Sequence, residues 1–445
     1  MATYDVIVVG AGLAGLSAGM ELASKRHRVV ILESRHVVGG RTSSWIEDGM
    51  PVESGFHRML GFYKNLRKLI KSAGLSIKDV VSWQDELEFR TTDGGPAAVF
   101  GAAPVAHPLK TISGVLGNNA YLSAKAKASL TKFYAKGLAA YLRSPEALDK
   151  ISIAEYAKRT KLNRQAVERI LRPLTAGVLF QQPENFSAFT MFSLVAANAP
   201  RSFRSRIGLF KGGMTEVMTG PIGNAIEQNG GEVRTSSPVR ALLVRDGRVV
   251  GVQTDKDEVT GRHVFIATTI SAAQQLLKPH FGFQEWCRPM LSLPSMPAVT
   301  IQLELSERSM PVDRTSFGVA CCLASFAEQS ATTFRNVAGR LSIILSPPER
   351  FLSLRDEDVL QEVKRDARRL GINLEGKIVR YRVIRQPSDF YSIAPNNQHL
   401  RPHQKTPIEG LTLAGDYTRQ KFLTTMEGAV VSGKKAAQIV LKALK

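Results

Sequence analysis

The sequence predicts an α/β fold, in which a parallel-sheet domain built from three separate stretches carries an inserted α+β domain. The runs Asp5–Val9, Arg262–Ala267 and Leu411–Ala414 are continuous and apolar, which is typical of strands buried on both faces of a parallel sheet. Residues 286–375 instead alternate strand patterns, such as Ala298–Leu305, with a single helix. This second pattern indicates another sheet in a separate domain.

The N-terminal strand runs directly into the motif Gly10-x-Gly12-x-x-Gly15. Gly10 allows a tight turn, Gly12 lets the backbone approach a pyrophosphate, and Gly15 lets the following helix pack close to the strand. The helix is predicted over Leu13–Lys25, with Ala14 in its first turn, where free N–H groups and the positive end of the helix dipole attract phosphate. The motif predicts a Rossmann-like unit, and the alternative is an ordinary glycine-rich turn.

A second strand pattern, Arg28–Leu32, ends at Glu33. This acid lies about 20 residues beyond the glycines, where a carboxylate can accept hydrogen bonds from ribose hydroxyls. Strand, glycines, helix, second strand and terminal acid together predict a dinucleotide site at the N-terminus.

The residues that follow indicate which dinucleotide binds. Arg35 is followed by Gly39-Gly40-Arg41-Thr42. The flavin half of FAD must be led past the first helix by close backbone and a cation, whereas a nicotinamide cofactor needs no second glycine pair there. The pattern ExR…GGR after GxGxxG resembles the FAD-binding amine oxidase and carotenoid desaturase superfamily. This resemblance implies an FAD-binding domain with these residues at its cofactor site.

The C-terminal stretch Pro407–Phe422, continued by Met426–Lys434, is similar to the end of phytoene and ζ-carotene desaturases of the plant and cyanobacterial type. A buried strand in it ends at Gly415 and Asp416, where a carboxylate can accept from ribityl or ribose hydroxyls. Met426 begins the final helix, whose dipole would stabilise negative charge at the N1–C2=O end of a reduced flavin. No cysteine lies in this block, so we expect FAD to be held non-covalently.

The resemblance suggests roles for two further residues. The residue that matches Val239 presents its backbone to the adenine. The segment Val52–Gly61 is similar to one that lies near the flavin ring in the desaturases, so His57 is a candidate flavin neighbour or proton acceptor. The alternative for His57 is a hydrogen bond to backbone without a catalytic role.

One departure from the superfamily concerns amine oxidation. Amine oxidases usually carry a lysine on the strand that matches Ala298–Leu305, where it holds a water against flavin N5. In this chain the matching position is near Thr300, and no lysine occurs between Lys278 and Lys364. The sequence therefore argues against an amine substrate.

Composition limits the number of domains and indicates the cellular compartment of the protein. The chain has 445 residues, 44% of them hydrophobic, which suffices for two domains. Its three cysteines form no CxxC motif, which favours a reducing cytosol. The apolar N-terminal run is interrupted by glycines and is interpreted as a strand, not a signal peptide. No uninterrupted apolar run approaches 18 residues, so no transmembrane span is predicted, and no metal site is predicted either.

The formal net charge of +20 requires an anionic partner. No nucleic-acid-binding motif is present, so an anionic membrane surface is favoured over nucleic acid. Residues 94–145 contain no acid, and on a helix four of their cations share one face, opposite a side rich in aromatic residues. Those cations are Lys125, Lys132, Lys136 and Arg143, and the stretch also contains Lys110 and Lys127. The alternative is a solvated lysine face over a protein core.

A second acid-free stretch, residues 185–215, carries further cations among apolar side chains. Its cations are Arg201, Arg204, Arg206 and Lys211, and its apolar members include Phe203, Leu209 and Phe210. Two such stretches flanking one inserted region favour a membrane-docking face. The expected localisation is cytoplasmic, with peripheral attachment to the inner face of the membrane.

The domain prediction assigns residues 1–93, 205–285 and 376–445 to a discontinuous FAD-binding domain, and residues 94–204 and 286–375 to the inserted α+β substrate domain. The resemblance implies an FAD-dependent desaturase of a long apolar isoprenoid such as phytoene. A hydride would pass to flavin N5, and a quinone or oxygen would reoxidise the flavin.

Three alternatives are kept open: a hydroxysqualene dehydroxylase-like enzyme, an amine or protoporphyrinogen oxidase, and a non-catalytic flavin-binding protein of the membrane surface.

Overall fold

Two seven-stranded sheets form the framework of the protein, seen in a computed structural model that describes residues 4–95, 97–102, 109, 117–198 and 205–444. The strands, in chain order, are β1 Tyr4–Val9, β2 Val29–Leu32, β3 Ser44–Glu47, β4 Met50–Glu53, β5 Met59–Leu60, β6 Val81–Gln84, β7 Glu86–Thr91, β8 Ala98–Gly101, β9 Ile207–Phe210, β10 Glu232–Arg234, β11 Val239–Arg245, β12 Arg248–Thr254, β13 Glu258–Ile266, β14 Ser295–Leu305, β15 Thr315–Val319, β16 Leu323–Glu328, β17 Gly339–Leu345, β18 Ile378–Tyr391 and β19 Leu411–Leu413.

The α-helices of the described residues lie at Leu13–Ala23, Lys64–Ser72, Ile77–Val80, Ala124–Arg143, Pro145–Asp149, Ile153–Arg159, Arg164–Ala166, Arg172–Leu179, Ala188–Asn198, Gly220–Gln228, Ile270–Phe281, Arg288–Leu291, Asp356–Arg369 and Met426–Ala443. Short π-helical turns at Val167–Leu171 and Thr215–Thr219 join two of these helices to the preceding chain. None of the helices in the described ranges combines the length and apolarity that spanning a bilayer requires.

The first sheet has the strand order β10-β2-β1-β13-β12-β11, with β19 alongside β13. Strand β1 pairs in parallel with both β2 and β13, and β13 pairs in parallel with β19. The side chains of Val6, Ile7 and Val8 are fully buried, as expected for a strand covered on both faces. The predicted α/β, Rossmann-like unit is confirmed, and the carboxyl ends of its parallel strands meet at one edge, where ligands bind in open α/β sheets.

The final helix returns to the N-terminal one. A Cβ atom added to Gly433 would lie 2.1 Å from the carbonyl oxygen of Ala14, so the two helix backbones touch at this glycine. Ser17 Oγ donates to the carbonyl of Val430 at 3.0 Å across the same interface. This contact brings the two ends of the chain together beside the first sheet.

The second sheet has the order β18-β14-β17-β16-β15-β7-β8. Its strands β14 and β17 and the helix Asp356–Arg369 correspond to elements predicted for residues 286–375. Strands β7 and β18, however, fall within ranges 1–93 and 376–445, which the prediction placed in the FAD-binding domain. A division drawn by sheets therefore differs from the predicted one at these two strands.

The helix Ala124–Arg143 carries its cations as predicted, but its aromatic side is covered by protein. Phe133 is buried, and its ring centroid lies 5.4 Å from that of Tyr156 and 5.5 Å from that of Phe192. Lys125, Lys132, Lys136 and Arg143 are exposed on the opposite side. The helix is thus a cationic face over a core, and its aromatic residues form no lipid-facing surface; Lys110 of the same stretch lies outside the described residues.

The second basic stretch differs from the expectation as well. Leu209 and Phe210 are buried in strand β9. Arg206 pairs with Asp85 at 2.6 Å, and Lys211 Nζ donates to the carbonyl of Lys78 at 2.6 Å. The described cations of this stretch therefore hold contacts within the protein. Arg201, Phe203 and Arg204 lie outside the described residues.

Candidate functional site

A cavity of about 1130 Å³ opens at the carboxyl edge of the first sheet and extends to the second. Its wall includes every residue predicted for the cofactor site except Gly15. The predicted residues in the wall are Gly10, Gly12, Ala14, Glu33, Arg35, Gly39, Gly40, Arg41, Thr42, Val239, Gly415, Asp416 and Met426, together with His57. The topology thus brings together residues that are distant in the sequence.

The three positions of the first motif are occupied by glycine for different physical reasons. Gly10 has a φ of +102°, and a Cβ there would meet the carbonyl oxygen of Ala267 at 3.0 Å. A Cβ at Gly15 would lie 1.9 Å from the carbonyl oxygen of Gly10. At Gly12, by contrast, no described atom lies within 4 Å of an added Cβ, which would point into open space. The fold requires Gly10 and Gly15, whereas Gly12 keeps the cavity clear beside a helix N-terminus.

Glu33 lies in the cavity wall at the carboxyl end of β2. Its Oε2 accepts from the N–H of Ala11 at 2.8 Å, and its Oε1 accepts from the N–H of Arg35 at 2.9 Å. A carboxylate has about four lone-pair sites, so these bonds orient the group and leave acceptor capacity for a ribose. The carbonyl of Glu33 also receives the N–H of Ser237, which brings the Val239 segment beside the same site.

The second glycine pair packs against the first motif. The N–H of Gly39 donates to the carbonyl of Ala11 at 2.8 Å, and a Cβ at Gly40 would lie 3.3 Å from the Cα of Gly12. Gly39 and Gly40 both have positive φ, at +119° and +57°. The Thr42 hydroxyl donates to the carbonyl of Gly39 at 2.8 Å and closes the turn. The two glycine turns therefore form one continuous backbone surface.

Arg41 and Asp416 form an ion pair across the cavity wall, with 2.6 Å between Nη2 and Oδ1. Burial lowers the pKa of the Arg41 guanidinium, but Asp416, together with Asp389 and Tyr391, more than offsets this effect, and the pKa is raised overall. The guanidinium also lies over the ring of Phe390, with 4.6 Å from its Cζ to the ring centroid. Sequence reasoning proposed both charged residues for the site but not their pairing.

His57 lines the same cavity with a neutral ring. Burial lowers the pKa of its imidazole to about 4, and hydrogen bonds with the backbone at Gly55 and Arg41 oppose this shift only in part. Its Nδ1 is buried and has no hydrogen-bond partner within the part of the chain that the structure describes. Its role as a flavin neighbour or as a backbone-bonded structural residue stays a prediction.

The final helix directs its N-terminus at the cavity. Thr425 caps it by accepting the N–H of Gly428 at 3.1 Å, and both Thr425 and Met426 line the cavity. The positive end of the helix dipole therefore faces the space in which a ligand would carry negative charge.

Several wall residues were missed by sequence reasoning. Thr268 and Thr269 follow strand β13, and Asp389 and Phe390 lie near the end of strand β18. The first two could have been found, because polar residues that follow a buried parallel strand share the edge used by Gly10 and Gly415. Asp389 and Phe390 carried no comparable pattern.

Another part of the wall is apolar and comes from residues 172–198 and from the second sheet. Its members are Leu174, Val178, Phe180, Leu194, Val195, Phe317 and Ile344. The cavity exceeds the roughly 300–1,000 Å³ of a typical pocket for one small ligand. It therefore has space for a dinucleotide beside a second, apolar ligand, and the clear space at Gly12 and the acceptors of Glu33 fit the nucleotide part of FAD.

Comparisons with known proteins show which proteins this chain resembles. The chain is 25% identical to the 15-cis-phytoene desaturase of Synechococcus elongatus, over 98% of this chain and 95% of that protein. It is 28% identical to the zeta-carotene desaturase of Synechocystis sp., over 98% of this chain and 97% of that protein. A solved putrescine oxidase bound to putrescine has a TM-score of 0.77 at 19% identity, with 99% of each chain covered, which shows a shared fold.

The family model described as flavin containing amine oxidoreductase matches residues 13–441, which is nearly the whole chain. That range includes Gly15 of the first glycine motif, the second glycine pair and nearly all of the C-terminal helix of the cavity wall. The predicted resemblance is thereby confirmed. The chain belongs to the flavin containing amine oxidoreductase family and is an FAD-dependent oxidoreductase.

Proposed function

We propose that this oxidoreductase introduces a double bond into a long apolar isoprenoid of the phytoene or carotene type. The observation that carries the proposal is the apolar part of the wall, which lines the same cavity as the residues predicted to bind the cofactor. The names of the full-length relatives, a phytoene desaturase and a zeta-carotene desaturase, support the same substrate class.

The residue at position 300, a threonine, favours an uncharged substrate. Thr300 is buried in strand β14 and lines the cavity, and its hydroxyl has no hydrogen-bond partner within the described ranges. Nothing at this position would recognise an amine by charge. Apolar chemistry of this kind depends on alignment in a site that excludes water.

The chain's own residues have separate tasks in this proposal. Gly12, Gly40 and the N-terminus of the first helix would hold the pyrophosphate, and Glu33 would hold the adenosine ribose. Arg41 and Asp416 would also hold a non-covalently bound FAD, and the N-terminus of the final helix would stabilise negative charge on the flavin. When bound, the flavin supplies the hydride acceptor. The apolar wall orients the substrate and excludes water, and a quinone or oxygen is the proposed electron acceptor.

The experiment that tests this function uses the FAD-loaded protein, phytoene in liposomes and a soluble quinone, with no nicotinamide cofactor added. We expect products with additional conjugated double bonds, detected by their absorption and by mass. Product that forms only when NAD or NADP is present would refute the assignment of flavin as the hydride acceptor. Conversion of squalene alcohols or protoporphyrinogen, without conversion of phytoene, would favour another substrate class.

We also propose that the protein binds anionic membrane through the cationic face of the helix Ala124–Arg143. The four exposed cations of this face have no acidic neighbour on their own helix. Each Lys or Arg near an anionic surface contributes about 1 kcal/mol, and salt screens the attraction. Replacing Lys125, Lys132, Lys136 and Arg143 by Gln should weaken vesicle binding by roughly 3 to 4 kcal/mol at low salt.

A matched control changes the charge by the same amount on another helix. Replacing Arg355, Lys364, Arg365 and Arg368 by Gln removes four cations that lie beside acids in the folded protein. We expect this control to bind phosphatidylserine vesicles more tightly than the variant of the cationic face. Equal loss in both variants would show that net charge alone, and not this face, governs the attraction.

A further inference from the structure

Phe180 adopts a backbone conformation that a bulky residue rarely occupies. It follows the helix Arg172–Leu179 with φ +63° and ψ +4°, in the left-handed region. Helices that end in this conformation usually place glycine or asparagine there, because a side chain is strained. Bulky residues held in such conformations concentrate at functional sites, where the surrounding structure enforces them.

The helix before Phe180 is held tightly against the second sheet. A Cβ added to Gly177 would lie 2.7 Å from the ring of Phe317 and 2.8 Å from the carbonyl oxygen of Ala324. The N–H of Phe180 donates to the carbonyl of Ala176 at 3.0 Å and ends the helix. These contacts fix where the chain leaves the helix and therefore fix the direction of the Phe180 side chain.

The Phe180 side chain lines the cavity and contacts Phe390, another residue of its wall. Its centroid is 5.0 Å from that of Phe390, and the two rings are tilted by 58°. Phe390 carries the guanidinium of Arg41 on its ring, and Arg41 in turn pairs with Asp416. Phe180 also packs against the cluster of Ala176, Ala324 and Ile344. One series of contacts thus connects the apolar wall with the charged pair of the cofactor site.

We propose that Phe180 is a positioning residue that limits how far an apolar substrate reaches towards the cofactor and thereby selects which carbon–carbon bond is oxidised. This inference rests on the proposed function. A helix end alone would be served better by glycine, so the strained phenylalanine is explained by the position that it gives to its ring. Whichever bond is selected, two adjacent carbons would each lose one hydrogen, one as a hydride to the bound flavin and one as a proton to solvent. The new double bond is therefore balanced by two-electron reduction of the flavin.

The test compares Phe180→Leu, Phe180→Ala and Phe180→Gly in the FAD-loaded protein. With phytoene in liposomes, we expect wild type to form one regioisomer predominantly. The Ala and Gly variants should lose about tenfold in preference between neighbouring bonds, since small changes in an apolar pocket alter discrimination by about 10- to 200-fold. The Leu variant should retain part of the preference. Phe283→Ala makes the same type of change at a residue that is 93% exposed and serves as the control.

Two further readouts separate this proposal from a structural role and from the proposed function. Binding of the unreactive hydrocarbon squalane, followed through the flavin absorption spectrum, should perturb the spectrum more strongly in Phe180→Ala than in wild type. Phe180→Gly should melt above Phe180→Ala, because glycine accepts positive φ. If the variants change only in melting temperature, with unaltered regiochemistry and squalane response, Phe180 is structural. If phytoene is not converted at all, the proposed function fails, and squalane binding still tests Phe180.

Discussion

Gly12 and Gly15 lie in the same motif, but the structure indicates different reasons for a glycine at each position. Gly12 faces open space in the cavity, whereas Gly15 touches the backbone of Gly10. A side chain at position 12 would therefore compete with a ligand, and a side chain at position 15 would compete with the fold. This difference allows the cofactor site to be tested without disturbing the sheet.

Gly12→Val should fold but fail to take up FAD. We expect its apoprotein to lie within about 1 kcal/mol of wild type in unfolding free energy, the size of a lost helix-cap preference. Gly15→Ala should destabilise the protein by about 3 kcal/mol, as overpacking does. Urea unfolding and flavin titration measure the two effects. A Gly12→Val protein that binds FAD as wild type does would show that the cofactor lies elsewhere.

Arg41→Ala should weaken FAD retention, and it should also destabilise the apoprotein, because the buried Asp416 carboxylate loses its ion-pair partner. A hydrogen bond to a charged group contributes about 1.5–3 kcal/mol, which corresponds to a Kd raised by about 10- to 150-fold. Arg41→Lys keeps the charge, so its Kd for FAD should lie between those of wild type and Arg41→Ala. Isothermal titration of the apoproteins with FAD gives the affinities. An unchanged Kd in Arg41→Ala would contradict the role proposed for the Arg41–Asp416 pair.

At the scale of elements, the final helix stabilises the helix Lys64–Ser72 through one buried carboxylate. Glu427 accepts from the backbone N–H groups of Lys64, Asn65 and Leu66 at 2.8–3.0 Å. A negative charge at a helix N-terminus is favourable, and these N–H groups have no carbonyl of their own helix to bind. The element that faces the cavity with Met426 therefore also fixes a neighbouring helix.

Glu427→Ala should lower the free energy of unfolding by about 3 kcal/mol, because buried N–H groups would lose a charged acceptor. Glu427→Gln keeps one acceptor and should lose less. Glu409→Ala removes an exposed carboxylate that pairs with Arg248, a surface interaction of about 0–1 kcal/mol, and is the control. Chemical denaturation of the three variants measures their free energies of unfolding and checks this order of stability. Similar stabilities for Glu427→Ala and Glu409→Ala would refute the capping role.

Sequence patterns identified helices and strands better than they identified which other elements these pack against. Strand β7 lies within residues 1–93, which the sequence assigned to the FAD-binding domain. A strand pattern carries no information on a partner more than 200 residues away, and β7 pairs in parallel with β15 in the second sheet. In the same way, the helical period placed four cations on one face of residues 124–143. It could not show that Phe192 and Tyr156 cover the opposite face.

At the scale of the whole molecule, a buried network joins the cofactor side to the second sheet. Gln302 of strand β14 exchanges two hydrogen bonds with the backbone of Glu53, at 2.6 and 3.1 Å. Arg340 donates to Gln302 and to the carbonyl of Pro51. Burial raises the pKa of the Glu53 carboxyl to about 7. The backbone N–H of Met214 and the positive charges of Arg340 and Arg58 oppose that shift only in part.

Stability should depend on pH through Glu53. The folded state holds this proton up to about pH 7, whereas the unfolded chain releases it near its ordinary pKa of 4.5. Between these values the folded state binds more protons, so stability falls as pH rises through this window. Glu53→Gln should therefore melt above wild type at pH 8 and close to wild type at pH 4.5. Parallel melting curves for the two proteins across this range would contradict the shift.

The part of the cavity wall proposed to bind the cofactor was largely predictable from sequence, and the rest of the wall was not. Motifs such as Gly10-x-Gly12 and Gly39-Gly40-Arg41 have fixed local geometry, so their positions in a site follow from short stretches of sequence. The apolar wall at Leu174, Leu194 and Phe317 is made by ordinary core-type residues, whose exposure to a cavity depends on how distant elements pack. The Arg41–Asp416 pair likewise depends on the packing of both chain ends.

The central claim, oxidation of an apolar isoprenoid by a bound flavin, is tested most directly by anaerobic mixing. FAD-loaded protein is combined with phytoene in liposomes without any electron acceptor, and the flavin absorption is followed over a single turnover. The account predicts that phytoene bleaches the flavin, that a quinone restores the colour, and that putrescine and other amines leave it unchanged. Bleaching by an amine and not by phytoene, or by none of these compounds, would contradict it.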